Sequence, residues 1–250
     1  MTMQQKMWLW HIWNHLVAIG GLFVIVLNGY WGYLIISLMI SFICLQVANI
    51  SLHRYLSHKS FKTGPRRDIF LRWINIWTGL GPSIMWVITH RQHHADSDQL
   101  HDYQNPRVIG KLRSWFTVYP KTTFNIRFGK DIIQCTHSKF IYKHYFKMQF
   151  ILYAIIFLIN PWIVILVLAI PMTVVFHGAA SIGVLTHMWG YRVLDTPDKS
   201  TNNWVASILS CGEGWHNYHH AKPGDYRQGY NWWELDPPAW IIERFFKNDA

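Results

Sequence analysis

Residues 212–220 read Gly-Glu-Gly-Trp-His-Asn-Tyr-His-His, which places three histidines at positions i, i+3 and i+4. On an α-helix these positions share one face, one turn apart. The same spacing occurs in residues 90–94, His-Arg-Gln-His-His, while residues 53–58, His-Arg-Tyr-Leu-Ser-His, carry two histidines spaced by five. Imidazole is the most common metal-binding side chain and suits iron, copper and zinc. Three such clusters in one chain predict a metal site built from histidine.

Long segments without charge separate these clusters. The chain has 250 residues, of which 51% are hydrophobic, and it has no Lys, Arg, Asp or Glu at positions 7–50 or 148–191. A transmembrane helix needs about 20 apolar residues, so each gap can hold two. We therefore predict an all-α integral membrane protein with four transmembrane helices in two hairpins. The predicted spans are about 8–27, 33–49, 146–159 and 162–187.

The basic residues indicate which side of the membrane the polar segments occupy. All 23 Lys and Arg residues lie outside the two gaps. The positive-inside tendency then places both termini and the middle block in the cytoplasm. Residues 51–145 and 188–250 would form a cytoplasmic helical cap that holds the histidine clusters, within one domain covering residues 1–250. The first apolar segment does not have the pattern of a cleaved signal peptide, because a second span follows it directly.

Several shorter segments carry helix signals. Residues 66–77 follow Pro65 and have the apolar spacing of an interfacial amphipathic helix. Helices are also predicted at residues 83–94 and 240–246. After the second cluster, residues 96–102 contain acidic side chains and a histidine. These either orient ligand imidazoles from behind or form a solvated loop.

Other histidines have different expected roles. His11 and His15, at i and i+4, begin the first span and are interpreted as interfacial residues, with metal binding as the alternative. His177 lies within the fourth span, where a polar side chain is usually functional or hydrogen-bonded inside the bundle. His187, near the cytoplasmic end of that span, can face the same site as the clusters. His137 and His144 are interpreted as residues that bind no metal.

The composition excludes some classes of function. The three cysteines are scattered without a C-x-x-C pair, so a thiolate metal site or a disulfide framework is not expected. The net charge of +10 indicates contact with anionic lipid headgroups or an acidic protein partner. No nucleic-acid-binding motif accompanies this charge, so we expect no nucleic-acid partner.

The clusters H-x4-H, H-x2-H-H and H-x2-H-H, with residues 186–192, Thr-His-Met-Trp-Gly-Tyr-Arg, resemble the membrane fatty acid desaturases. The most similar branch is the acyl-CoA and acyl-lipid delta-9 type, which is stearoyl-CoA desaturase-like. The resemblance runs from about His53 to Tyr226. It implies that two irons are held by nine histidines: His53, His58, His90, His93, His94, His187, His216, His219 and His220. The family usually has an asparagine four residues before the ninth histidine, and here that position is Gly183. Either water replaces the missing oxygen or the oxidation chemistry is altered.

The resemblance also implies a reaction and partners. The chain would be an O2-dependent desaturase acting on an acyl chain carried by CoA, acyl carrier protein or a glycerolipid. Electrons would come from a ferredoxin or cytochrome b5 type donor with its reductase. Basic residues at the mouth of an apolar tunnel would contact the substrate head group, and the candidates are Arg66, Arg67, Arg72 and Arg192.

Two alternatives stay open on the sequence alone. Hydroxylases, acetylenases and terminal-alkene-forming decarboxylases of the same superfamily share the histidine pattern. Outside enzymes, a membrane haem or metal-handling protein would also use paired histidines. The oxidised product distinguishes the first group from a desaturase, and an intense Soret band would indicate haem.

Overall fold

The computed structural model describes residues 1–117 and 125–247 of the chain. These residues form helices and loops, and no strand occurs among them. Two isolated antiparallel bridges join Asn202 to Tyr191 and to Trp215. The all-α prediction is confirmed for the part of the chain that is described.

Three continuous helices are long and apolar enough to cross a membrane. The first is α1, Met3–Leu27. The second is α2, Trp31–Val47, which continues as a π-helix, Ala48–Ser57. The third consists of α9, Pro161–Ile163, a π-helix, Val164–Ala169, and α10, Ile170–Met188. They correspond to the predicted spans at 8–27, 33–49 and 162–187, although the second runs on to Ser57 and so includes residues predicted to belong to the cap.

The predicted span at 146–159 is the second half of a longer helix, α8, Thr136–Ile159. Lys139, Lys143 and Lys147 lie in its first half, and α8 is not among the helices that meet the length and hydropathy expected of a span. Its second half nevertheless presents large apolar side chains outward, with Phe150 72% and Leu158 83% exposed. A fourth span at this position stays a prediction.

The remaining helices are short. They are α3 (Pro65–Ile74) with a 3-10 turn (Asn75–Thr78), α4 (Ser83–Asp96), α5 (Pro106–Ile109), α6 (Lys111–Trp115), a 3-10 turn (Ile126–Gly129), α7 (Lys130–Gln134), α11 (Trp204–Ser210), α12 (His216–Ala221) and α13 (Pro237–Ile241), which continues as a π-helix (Ile242–Phe246). The helices predicted at 66–77, 83–94 and 240–246 all occur, with these bounds.

Close packing of α1 against the third membrane helix forms the core of the apolar part. Ala18 and Ile25 of α1 are buried against Leu166, Ala169 and Ile170. A Cβ at Gly21 would lie 2.3 Å from the side chain of Ile165, so only glycine allows this approach of the two helices. The opposite face of α1 is apolar and exposed, as a lipid-facing surface requires.

Candidate metal centre

Nine histidine side chains meet in two groups at the end of the membrane helices. Within each group, one ring nitrogen of every member lies within 4.8 Å of the others. The five-histidine group contains His53, His58, His90, His94 and His219, and the four-histidine group contains His93, His187, His216 and His220. All nine histidines predicted as metal ligands therefore converge.

A π-helix explains how the first pair reaches the site. His53 and His58 are five residues apart, a spacing that an α-helix would place on different faces. In the π-helix at the end of α2, the N–H of His58 donates to the carbonyl oxygen of His53 at 3.2 Å, which is the i to i+5 bond of this helix type. Both rings therefore belong to the five-histidine group.

The clusters on α4 and α12 each contribute to both groups. On α4, His90 and His94 join the five-histidine group while His93 joins the four-histidine group. On α12, His219 joins the five-histidine group and its two companions join the other. His187 is the second-last residue of α10 and so connects the four-histidine group to a membrane helix. The two groups are therefore held by shared elements.

Carboxylates orient four of the rings from behind. In each case Nδ1–H donates to a buried or nearly buried acidic side chain, which fixes the tautomer and leaves the Nε2 lone pair directed at the group. The pairs are His53 with Glu213, His93 with Asp102 at 2.9 Å, His187 with Asp98 at 2.9 Å, and His220 with Asp198 at 2.6 Å.

These tautomers show that the four-histidine group fits a metal ion. The Nε2 atoms of His187 and His220 lie 3.1 and 2.9 Å from Nε2 of His216. Both carry lone pairs, and His216 Nε2 can donate only one hydrogen, so hydrogen bonding cannot satisfy all three nitrogens. A metal bound to nitrogen at about 2.0–2.1 Å places two ligands at right angles about 3.0 Å apart. The observed separations match that arrangement.

The five-histidine group has similar separations. Nε2 of His58 lies 2.7 Å from Nε2 of His90. Nε2 of His219 lies 3.1 Å from that of His53 and 3.2 Å from that of His94. This group therefore fits a metal ion equally well by distance.

Burial keeps most of these rings neutral. It lowers the pKa values of His90, His94, His216 and His219 well below 6.5, and neighbouring imidazoles lower them further. Neutral imidazole is the form that binds metal, so the site is ready for a cation at neutral pH. For His93, burial alone would lower the pKa, but the carboxylate of Asp102 raises it on balance.

A buried ion network supports the five-histidine side. Glu213 and Arg54 are both almost fully buried and pair at 2.8 Å, and Arg54 also pairs with Asp236 at 2.8 Å. Burial would raise the pKa of Glu213, but Arg54 and His53 hold it down at about 2. The amide of Gln228 donates to Glu213 at 2.9 Å. Glu213 is therefore a carboxylate that positions His53.

Sequence reasoning found only part of this supporting layer. Of residues 96–102, Asp98 and Asp102 do orient rings, whereas Asp96 pairs with the exposed His101. The sequence pattern predicts no orienting role for Glu213, although this residue lies inside the motif at residues 212–220, and it predicts none for Asp198. The signal for Asp198 is local: its carboxylate accepts bonds from Thr196 and Ser200 in a tight turn, a geometry that T-x-D-x-S can indicate.

An apolar cavity of about 210 Å³ reaches the metal centre. His53, His90, His93 and His216 line one part of it, and the start of α1, with Trp8, lines another. Gly183 also lines the cavity, and a Cβ there would meet nothing within 4 Å. A side chain could therefore begin at this position without a clash at its Cβ.

The four arginines predicted to contact a substrate head group do not line this cavity in the described part of the chain. Arg66 and Arg67 are exposed on α3. Arg72 pairs with Asp68 at 2.8 Å. Arg192 donates to the carbonyl oxygens of Asp198 and Thr196, and so braces the turn that carries a carboxylate of the metal centre. A head-group role for these arginines stays a prediction.

Several known proteins are similar to this chain in sequence. The family model described as Fatty acid desaturase matches residues 28–249. The sn-1 stearoyl-lipid 9-desaturase of Anabaena variabilis is 31% identical over 225 residues, which is 87% of this chain and 82% of that protein. An Acyl-CoA 5-desaturase of Anemone leveillei is 27% identical over 93% of this chain and 77% of its own length. Delta-9 acyl-lipid desaturase 2 of Arabidopsis thaliana is 32% identical over 79% of this chain and 66% of its own length.

Proposed function

Because the chain belongs to the fatty acid desaturase family, we propose that it introduces a double bond into an acyl chain at a di-iron centre held by its nine histidines. The chain is an enzyme of lipid metabolism, an oxidoreductase like the relatives it matches. The observation that supports the centre most directly is the meeting of three Nε2 atoms at His216, which a cation satisfies and hydrogen bonds do not. Four histidines would hold one iron and five the other.

When bound, the irons supply the activation of O2 that an unactivated C–H bond requires. The overall reaction is R–CH2–CH2–R′ + O2 + 2 e⁻ + 2 H⁺ giving R–CH=CH–R′ + 2 H2O. The carboxylates behind four of the rings hold the ring hydrogen on Nδ1, which directs the Nε2 lone pair at the metal site and fixes the orientation of the ring. Apolar cavity walls, including Leu80, Val175 and Ala179, hold the chain and exclude water.

We propose CoA, acyl carrier protein or a glycerolipid as the carrier of the acyl chain. The relatives named above act on acyl-CoA or on acyl lipids, which supports the first and third. Arg66, Arg67, Arg72 and Arg192 stay candidates for the head group because cationic side chains bind phosphate. A ferredoxin or cytochrome b5 type donor with its reductase supplies the electrons, and the net charge of +10 suits an acidic protein donor.

The proposed membrane arrangement has four spans in two hairpins, with both termini and the metal centre in the cytoplasm. Three helices support it by length and hydropathy, and the exposed apolar second half of α8 supports the fourth. The distribution of Lys and Arg supports the orientation. Reporter fusions at residues 29 and 160, the two hairpin tips, would report the outer side if this arrangement is right.

The first test combines metal content with fatty-acid profiling on one preparation. The chain is expressed in a host with a compatible reductase, beside His219→Ala and the matched control His101→Ala, whose side chain is 69% exposed and outside both groups. We expect about two irons per chain and a new unsaturated fatty acid in the wild type and in the control. In His219→Ala we expect less iron per chain and less of the unsaturated fatty acid.

Other results would redirect or refute the proposal. If the chain holds two irons but the product is hydroxylated, acetylenic or shortened, the proposed di-iron centre is supported. The reaction is then that of another branch of the superfamily. Haem or zinc in place of iron, with unchanged lipids, would overturn the proposed function.

A further inference from the structure

The two histidine groups differ in the charge behind their rings. We propose that the four-histidine group is the stronger metal site, that Asp98, Asp102 and Asp198 make it so, and that it loads first and keeps its metal longest. The inference rests on the proposed function, which places one metal ion in each group.

Three aspartates stand behind the four-histidine group. Each accepts a hydrogen bond from Nδ1–H of a different ring, and their side chains are only 4%, 0% and 10% exposed. Their other hydrogen bonds come from backbone N–H groups and hydroxyls. Within residues 1–117 and 125–247, no Lys or Arg side chain forms an ion pair with any of them. Three carboxylates that pair with no Lys or Arg side chain of the described residues therefore stand behind this group.

The five-histidine group has one carboxylate in contact with its rings among the described residues. This carboxylate, Glu213, orients His53 and pairs with Arg54 at 2.8 Å, and Arg54 also pairs with Asp236. The amide of Gln228 lies 3.4 Å from Nδ1 of His219. A cation in the five-histidine group thus gains less from carboxylates behind its ligands than one in the four-histidine group.

One of the three aspartates, Asp98, differs from Glu213 in the hydrogen bonding of its oxygens as well. Both oxygens of Glu213 have partners: Arg54 contacts one, while His53 and Gln228 contact the other. Oδ1 of Asp98 is buried and has no hydrogen-bond partner among the described residues. A buried carboxylate oxygen without a donor is costly. Positive charge in the adjacent four-histidine group would offset that cost.

The number of ligands favours the other group, because the five-histidine group has one more imidazole with which to bind a metal ion. Each partner on a ligand's second nitrogen changes metal affinity by about 10- to 100-fold, and the four-histidine group has three carboxylates against one. Charge therefore favours the four-histidine group.

A cobalt titration of the metal-free protein in detergent tests the inference. Co²⁺ bound to imidazole absorbs visible light, so each step can be followed directly. We expect two steps that differ at least about tenfold in affinity. His220→Ala should remove the tighter step and His219→Ala the weaker one, which assigns each step to a group.

Isosteric variants then test the carboxylates. Asp198→Asn should weaken the tighter step by about 10- to 100-fold and leave the weaker step unchanged. Glu213→Gln should affect only the weaker step. Asp195→Asn is the matched control, because this aspartate lies in the same turn with its side chain fully exposed, and it should change neither step. If Asp198→Asn does not fold, Asp102→Asn replaces it.

The outcomes separate this inference from the proposed function. Two steps of equal affinity, or weakening of the looser step by Asp198→Asn, would overturn the inference and leave the two-metal centre in place. Binding of fewer than two Co²⁺ per wild-type chain would refute the centre itself.

Discussion

Two sets of histidines in this chain meet through ring nitrogens at the same distance. In the metal centre, Nε2 of His187 and of His216 are 3.1 Å apart. In a second place, between α1 and α10, Nε2 of His15 and of His177 are also 3.1 Å apart; we call these two residues the outer pair. The partners on the other ring nitrogens distinguish the two sets.

The outer pair is a complete hydrogen bond. The indole N–H of Trp115 donates to Nδ1 of His177 at 3.0 Å, so the hydrogen of the neutral His177 ring lies on Nε2. Nδ1–H of His15 donates to the carbonyl oxygen of His11 at 2.7 Å, so its Nε2 accepts. The hydrogen on Nε2 of His177 is donated to Nε2 of His15, so both nitrogens are satisfied without a cation. Spacing and distance alone therefore do not identify a metal site, whereas the Nδ1 partners do.

The largest expected difference between the two sets is in catalysis. His216→Ala removes the ring that two other lone pairs face, and we expect product to fall about 100-fold or more, because loss of an orienting partner alone costs 10- to 100-fold. His177→Ala removes a ring of the outer pair and should keep the metal content of the wild type. Gas chromatography of fatty acids and metal analysis measure these effects. Equal loss of iron in both variants would show that the outer pair also binds metal.

The next largest effect is on the free energy of unfolding. It tests the buried ion network of Arg54, Glu213 and Asp236, which lies beside the metal centre and has no counterpart at the outer pair. Arg54→Ala leaves Glu213 and Asp236 buried without their cation, which should cost about 3–5 kcal/mol. Arg227→Ala is the control, because Arg227 and its partner Glu243 are both 52% exposed, and such pairs contribute about 0–1 kcal/mol. Thermal unfolding of the detergent-solubilised proteins compares the two. Equal Tm values would contradict the view that the Arg54 network supports the centre.

Metal removal should produce an intermediate effect. A ligand present at 100 times its Kd stabilises the protein by about 2.7 kcal/mol, so a chelator should lower the Tm of the wild type clearly. His177→Ala should show the same drop, because the outer pair holds no metal, and His216→Ala should show a smaller one. A drop in His177→Ala smaller than that of the wild type would remove the distinction between the two sets.

Much of the site could be predicted because its spacing is that of the helix. Histidines at i, i+3 and i+4 on α4 and α12 share a face in any α-helix. The division of those histidines between two groups could not be predicted, because it depends on how α4 and α12 pack against each other. The spacing of five in residues 53–58 required a π-helix, for which the sequence has no established signal.

The fold was predictable to a similar extent. Absence of charge over long segments indicated membrane helices, since a buried charge in lipid is costly. In α8, however, the basic first half and the apolar second half form one helix, so hydropathy alone could not give its start. The role of Arg192 illustrates the remaining limit. A basic residue after a span predicts a phosphate contact, and this stays a prediction. The sequence had no signal for the bonds that the guanidinium donates to the carbonyl oxygens of the turn carrying Asp198.

The smallest predicted effect tests the outer pair itself. Trp115→Phe removes one neutral hydrogen bond to His177 and should cost about 0.5–1.5 kcal/mol, with two irons per chain retained. Combined with His15→Leu, the loss should be less than the sum of the single losses, because both changes break the same chain of hydrogen bonds. Trp115→Phe alone also frees Nδ1 of His177. The ring hydrogen of His177 can then move from Nε2 to Nδ1, which leaves lone pairs on Nε2 of both His15 and His177. A weak additional Co²⁺ step in Trp115→Phe, absent from the wild type, would show that the indole donor is what keeps this pair from binding metal. Fully additive losses would contradict the hydrogen-bonded chain.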